Sequence, residues 1–182
     1  MGSLEHANVF MRILFLSLCA IIVGSVLLAQ RGREMFIRRI PGLTAIEEAV
    51  GRATEMGRPI FFSPGLDSIS IVTLQALAIL SYIVKLAATH ATRIIVGLRS
   101  PIVYPVAEES VREAYDAVGR PENFRSDDIR FISDEQFAYA LGAVGIISRE
   151  EVATTFLFGA FYAEALILTE NGRALGALQV AG

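Results

Sequence analysis

The chain has 182 residues, 53% of them hydrophobic, with a mean hydropathy of +0.52 and 19% charged residues. That composition excludes intrinsic disorder, because a chain this apolar can bury a core. A single cysteine excludes a disulfide framework and a thiolate cluster, and two histidines, His6 and His90, argue against a self-contained zinc site.

A net charge of −3 gives no global reason to expect nucleic acid. The charge is unevenly placed. Residues 1–39 carry five arginines and two acids, a net of +3, and the remainder a net of −6. A basic collar joined to an acidic body is the pattern of a membrane anchor followed by a second domain. The expected organisation is an anchor over 1–30, a basic linker over 31–42 and an α/β domain over 43–182.

Residues 13–29, ILFLSLCAIIVGSVLLA, hold no charge over seventeen positions. As a helix they cover about 26 Å, against a hydrocarbon core of about 30 Å. Val9, Phe10 and Met11 extend the run if Arg12 snorkels. A cleaved signal peptide would have a shorter apolar run and a better site than Leu27 with Ala29. A lipoprotein signal at Cys19 is opposed by bulky Leu18, and a buried core helix by the flanking arginines. The expectation is an uncleaved single-pass anchor in the cell membrane. Arg31, Arg33, Arg38 and Arg39 follow the run, so the positive-inside rule puts the body in the cytoplasm and the N-terminus outside.

Residues 43–56 have helical periodicity: Leu43, Ile46, Ala49, Val50 and Ala53 oppose Glu47, Glu48, Arg52 and Glu55. A short buried strand follows over 59–63, and Asp67 or Ser68 can cap the next helix. That helix, 69–90, is apolar nearly all round. It reads as a buried central helix, an oligomer interface or a second span, although Gln75, Ser81, Tyr82 and Lys85 interrupt it. A second strand is expected over 93–98, a charged helix over 106–118 and a third strand over 128–132. Ser133 with Gln136 and Ser148 with Glu151 have the capping-box spacing. They predict a helix toward Leu141 and another over 149–170, stopped at Asn171 and Gly172. A fourth strand is expected over 174–180.

Short continuous apolar strands alternating with helices predict a Rossmann-like parallel sheet covered on both faces. Phe61, Ile95, Val96, Phe131 and Leu178 are expected in its core. Ending on a strand, the sequence suggests an incomplete chain or an edge covered by a partner.

Three stretches carry a family resemblance: RGREMFIRRIPGLTAIEEAVGRATEMGRPIFFSPGL from Arg31, GLRSPIVYPVAEESVREAY from Gly97 and GRALGALQVAG ending at Gly182. They resemble a family of uncharacterised prokaryotic membrane-anchored proteins, a domain of unknown function, over Arg31 to Gly182. The resemblance implies a membrane anchor and further α/β structure with another apolar segment beyond this point. It implies no catalytic residue.

In an open α/β sheet, ligands sit at the carboxyl ends of the strands. The residues placed there are Ser63, Asp67 and Ser68, then Arg99 and Ser100, then Ser133, Asp134 and Glu135. They could form a polar crevice in which Arg99 and helix N-termini meet an anion. The competing reading is that they are ordinary turn and cap residues. No dinucleotide fingerprint, P-loop or G-x-S-x-G motif is present, and no cofactor or metal is implied. His90 suits a helix C-terminus. Glu164, an acid within FYAEALIL, is expected to find an arginine or a backbone donor, or to mark an interface or a site.

The sequence therefore favours a membrane-tethered α/β interaction or scaffold protein, a subunit of a homo- or hetero-oligomer, without nucleic acid. The alternative is a small-molecule or nucleotide-binding domain using the strand-end crevice. A serine hydrolase is a distant third, since no catalytic constellation supports it.

Overall fold

The computed structural model describes residues 9–30 and 41–182. The chain divides into two compact units, 1–39 and 40–182. Arg31, Arg33, Arg38, Arg39 and His6 lie outside the described residues.

In the first unit, α1 (Val9–Gln30) is a single helix of 22 residues, about 33 Å long. Its apolar side chains point outward; Phe15 and Leu16 are both 66% exposed. Its two serines return their hydroxyls to the helix: Ser17 Oγ donates to Leu14 O and Ser25 Oγ to Ile21 O.

The second unit runs α2 (Pro41–Met56), β1 (Ile60–Gly65), α3 (Ile71–Thr89), β2 (Ile94–Leu98), α4 (Tyr104–Ala117), β3 (Ile129–Phe131), α5 (Gln136–Arg149), β4 (Thr154–Ala160), α6 (Glu164–Ala174) and β5 (Leu178–Ala181). All five strands are parallel, in the order β3-β2-β1-β4-β5. Parallel strands share one carboxyl end, and every strand-to-helix connection lies there.

Both faces of β1 and β2 are buried, so alternate residues feed two cores. Ile60, Phe62, Ile94 and Val96 pack with α2, α3 and α4. Phe61 and Ile95 pack with Tyr139, Ile146 and Ile147 of α5 and Leu168 of α6. Burying both faces needs uninterrupted apolar strands, which IFF and IIV supply.

α3 is capped by Ser70, whose Oγ accepts from Thr73 N, rather than by Asp67 or Ser68. Thr73, Ala76, Leu77, Leu80, Ile83, Val84, Ala87 and Ala88 form its buried side. Helical spacing leaves Ile71, Leu74, Ala78 and Tyr82 on the other side, all exposed. By length and composition alone α3 could also cross a membrane.

Several expectations are corrected. The helix over 149–170 does not form: its middle is strand β4, and α6 begins at Glu164. The sheet thus has five strands rather than four. Ser148 does not cap a helix but lies in the last turn of α5, and α6 runs through Asn171 and Gly172 to Ala174. The N-cap of α5 is Glu135; Ser133 Oγ instead accepts from Glu135 N. Phe61, Ile95 and Val96 are buried, but Phe131 is 46% exposed and Leu178 only partly covered. The reason is position: β3 and β5 are the two edges of the sheet, and Phe131 is the last residue of its strand.

Candidate functional site

The predicted crevice residues all lie at the carboxyl end, and two of the connections are tied by Arg99. Its Nη1 donates to Leu66 O at 2.7 Å and its Nε to Asp134 O at 2.8 Å. The guanidinium thereby braces the loops after β1 and β3 from the loop after β2. Ser68 is exposed and its carbonyl accepts from Thr73 Oγ1. The Ser100 carbonyl accepts from Val103 N at 3.2 Å. Asp134 and Glu135 are exposed, and Asp67 is half-buried. Apart from Ser63 and Arg99, this set consists of exposed or half-buried turn and loop residues.

Ser63 is fully buried and sits 2.5 Å from the Tyr139 hydroxyl. Tyr139 Oη donates to Gly97 O at 3.1 Å, which leaves its oxygen to accept from Ser63. Ser63 Oγ in turn accepts from Gly65 N at 3.3 Å. Three neighbouring structural pieces, β1, β2 and α5, are joined through two hydroxyls. Burial is the largest influence on the Tyr139 phenol and drives its pKa well above the ordinary 10; Glu164 adds to this, and the bond with Ser63 opposes it.

Glu164 is also fully buried. Its carboxylate accepts from Tyr162 N at 2.5 Å and from Gln136 Nε2. It stands in the first turn of α6, where the helix dipole favours an anion. The backbone donor expected for it is present; its side-chain partner is an amide rather than an arginine.

Beyond Ser63, β1 and β4 are clamped together. Leu66 N donates to Ala160 O at 2.9 Å. Gly65 has φ +90 and Gly159 φ +134, and a Cβ on Gly159 would stand 2.2 Å from Pro64 O. Only glycine permits this approach.

The sequence marked Gln136 only as a capping-box partner of Ser133 rather than of Glu164, and it did not single out Tyr139, Gly65 or Gly159, nor a cluster at the amino end of the sheet. There Arg93 forms a two-pronged pair with Asp128, Nη2 to Oδ1 being 2.5 Å, and reaches Glu150 at 2.8 Å. Arg130 meets Glu150 at 2.9 Å. The bond with Asp128 holds Arg93 above its ordinary pKa. The bond from Arg130, then that from Arg93, holds Glu150 below its own. The only sequence signal was the recurrence of arginine and acid at strand starts, Arg93 before β2 and Asp128 before β3.

The fold and site together define a five-stranded parallel α/β domain preceded by an apolar helix, with Ser63 and Arg99 of its candidate crevice bonded within the domain. Residues 2–182 match the family described as "Domain of unknown function (DUF6754)", and the chain belongs to that family. The match starts at residue 2 and so takes in the N-terminal helix, where the resemblance read from the sequence began only at Arg31. No curated protein and no solved structure matches the chain.

Proposed function

We propose that this is a membrane-tethered α/β interaction protein that assembles with copies of itself or with other subunits. α1 supports the tether. It is long enough for a hydrocarbon core, its apolar side chains have no cover within the helix, and its serine hydroxyls are satisfied by its own backbone. The four arginines after it favour a cytoplasmic body in a prokaryotic cell membrane. The strand order supports a Rossmann-like reading of the sheet.

The observation that carries the assembly reading is the outer face of α3 with the groove beside it. Ile71, Leu74, Ala78 and Tyr82 form an exposed stripe. A groove of about 410 Å³ opens next to it, lined by Leu43, Ile46, Ile79, Phe158 and Val180. Phe158 forms its aromatic wall, stacked on Phe62 at 6.2 Å and on Phe156 at 6.3 Å. Among the described residues β5, which contributes Val180, is an edge strand of the sheet. An apolar stripe, groove and sheet edge side by side suit a protein partner.

The crevice reading draws less support. At the switch point between β1 and β4, where a ligand would enter, Ser63 and Arg99 are engaged internally and the strand ends are clamped.

The test is the mass of the particle extracted gently from membranes. A particle of several copies or subunits is expected. Leu74→Arg should dissociate it, because the contact would bury an unpaired charge, while circular dichroism stays unchanged. A wild-type monomer at all concentrations overturns the assembly reading.

A further inference from the structure

The body is polarised between the two ends of its sheet. Ile102, Phe131, Phe137, Leu141, Tyr162 and Leu166 are exposed by 46–71%. Ile102, Phe137, Tyr162 and Leu166 come from the connections or first helical turns after β2, β3 and β4, Phe131 ends β3 and Leu141 lies in the second turn of α5, so the set stands toward the carboxyl end. The amino end carries instead Arg58, Arg120, Glu122, Arg149 and Glu151, with Met56 and Leu175 its large exposed apolar residues. The rim spans three inter-strand steps, about 14 Å, and continues along the helix starts on either side.

The chain enters the body at this same end. α2 leads into β1 through its C-terminus, and its first turn, at Gly42 and Leu43, lies beside the last residues of β5, Val180 and Ala181. Residues 31–40 lead from α1 to that point. Four of these ten residues are arginines, suited to lipid headgroups.

We propose that the carboxyl end of the sheet rests on the bilayer surface, with this rim seated at the headgroup boundary. The inference rests on the reading of residues 13–29 as a membrane tether and adds a second, reversible contact to it. Aromatic and aliphatic side chains that lie in the interface do so by burying apolar area. Asp134 and Glu135 are exposed at the same end and Asp67 is half-buried there. Anionic headgroups therefore do not drive the contact, and it suits a zwitterionic surface. They also keep the rim shallow, since a carboxylate is costly in hydrocarbon. Docked in this way, the domain would direct its charged amino end into the solvent and leave Ala78 and Tyr82, further along α3, at the side for neighbours.

The chain has no tryptophan, so one introduced tryptophan is a clean reporter. Full-length chains carrying Phe137→Trp, Ile102→Trp or Met56→Trp are reconstituted in phosphatidylcholine vesicles brominated near the headgroup end of the acyl chains. Positions 137 and 102 should lose emission to bromine, and position 56 should not. Adding Leu166→Asp and Tyr162→Asp to the 137 reporter should reduce that loss; both sites are exposed, so the fold tolerates them. Flotation of the same vesicles after a carbonate wash reads the tether separately. If the chain floats and 137 is no more quenched than 56, the docking is wrong and the tether stands. Emission at 137 that is blue-shifted but unquenched places the rim against protein and overturns the proposal. A chain that does not float overturns the tether, and the docking with it.

Discussion

Ser63 and Tyr139 meet through their hydroxyls at 2.5 Å, both fully buried, 76 positions apart in sequence. Because Tyr139 also donates to Gly97 O, one phenol closes a polar gap between β1, β2 and α5. Removing either hydroxyl leaves buried partners without a bond. Tyr139→Phe should cost about 1–3 kcal/mol. It should lower the urea midpoint without changing the slope, since the surface exposed on unfolding is the same. An unchanged midpoint would mean that water replaces the phenol.

The buried carboxylate of Glu164 accepts from Tyr162 N and Gln136 Nε2. Gln136→Ala removes the side-chain donor and keeps the charge, so a loss of about 1.5–3 kcal/mol is expected, the range for a hydrogen bond to a charged group. Glu164→Gln should be milder than Gln136→Ala, because an amide oxygen still accepts from Tyr162 N and no buried charge is left under-paired. Denaturation of the two variants side by side checks the order, and the reverse order would refute it.

At the other end of the sheet, Glu150 is held below its ordinary pKa of 4.5 by the bonds from Arg130 and then Arg93. A carboxylate with a depressed folded pKa binds fewer protons folded than unfolded. Its contribution is present above about 4.5 and is lost as the pH falls through the folded value. Glu150→Gln should therefore be less stable than the parent at neutral pH and should converge on it as the pH falls well below 4.5. Thermal midpoints of both chains across that range give the comparison; parallel curves would remove Glu150 from the acid response.

The first three strands and α2 to α4 were legible because their apolar runs are bounded by Gly, Pro and charged residues. β4 was not. Its strand and the start of α6 read as one run, TTFLFGAFYAEALIL, and a strand buried on both faces has the same lack of periodicity as a buried helix. The paired threonines, Thr154 and Thr155, and the alternating Phe156 and Phe158 were the available sign of a strand. The carboxyl-end residues were placed correctly by topology, but their partners were not foreseeable. Arg99 binds a backbone carbonyl 33 positions away, and a carbonyl carries no residue signature. Phe131 looked like core because its neighbours are; only the strand order reveals that β3 is an edge.

Two glycines separate packing from backbone freedom. Gly159 has φ +134, and a Cβ there would meet Pro64 O at 2.2 Å and Pro64 C at 2.7 Å. Those are backbone atoms of the adjoining strand, so they cannot rotate away as a side chain would. Gly159→Ala has to move β4 from β1, loosening the Leu66 N to Ala160 O bond that closes the strand ends. A loss of at least about 1–3 kcal/mol follows from the strained φ alone. Gly145 lies inside α5 with nothing within 4 Å of its would-be Cβ. Gly145→Ala there removes backbone freedom from the unfolded chain and should stabilise by about 0.5–1 kcal/mol. Hydrogen exchange distinguishes the mechanisms: Gly159→Ala should speed exchange at Leu66 N while leaving α5 protected, and Gly145→Ala should slow exchange within α5. If Gly159→Ala is neutral and Leu66 N stays protected, the clamp between β1 and β4 does not hold the strand ends closed.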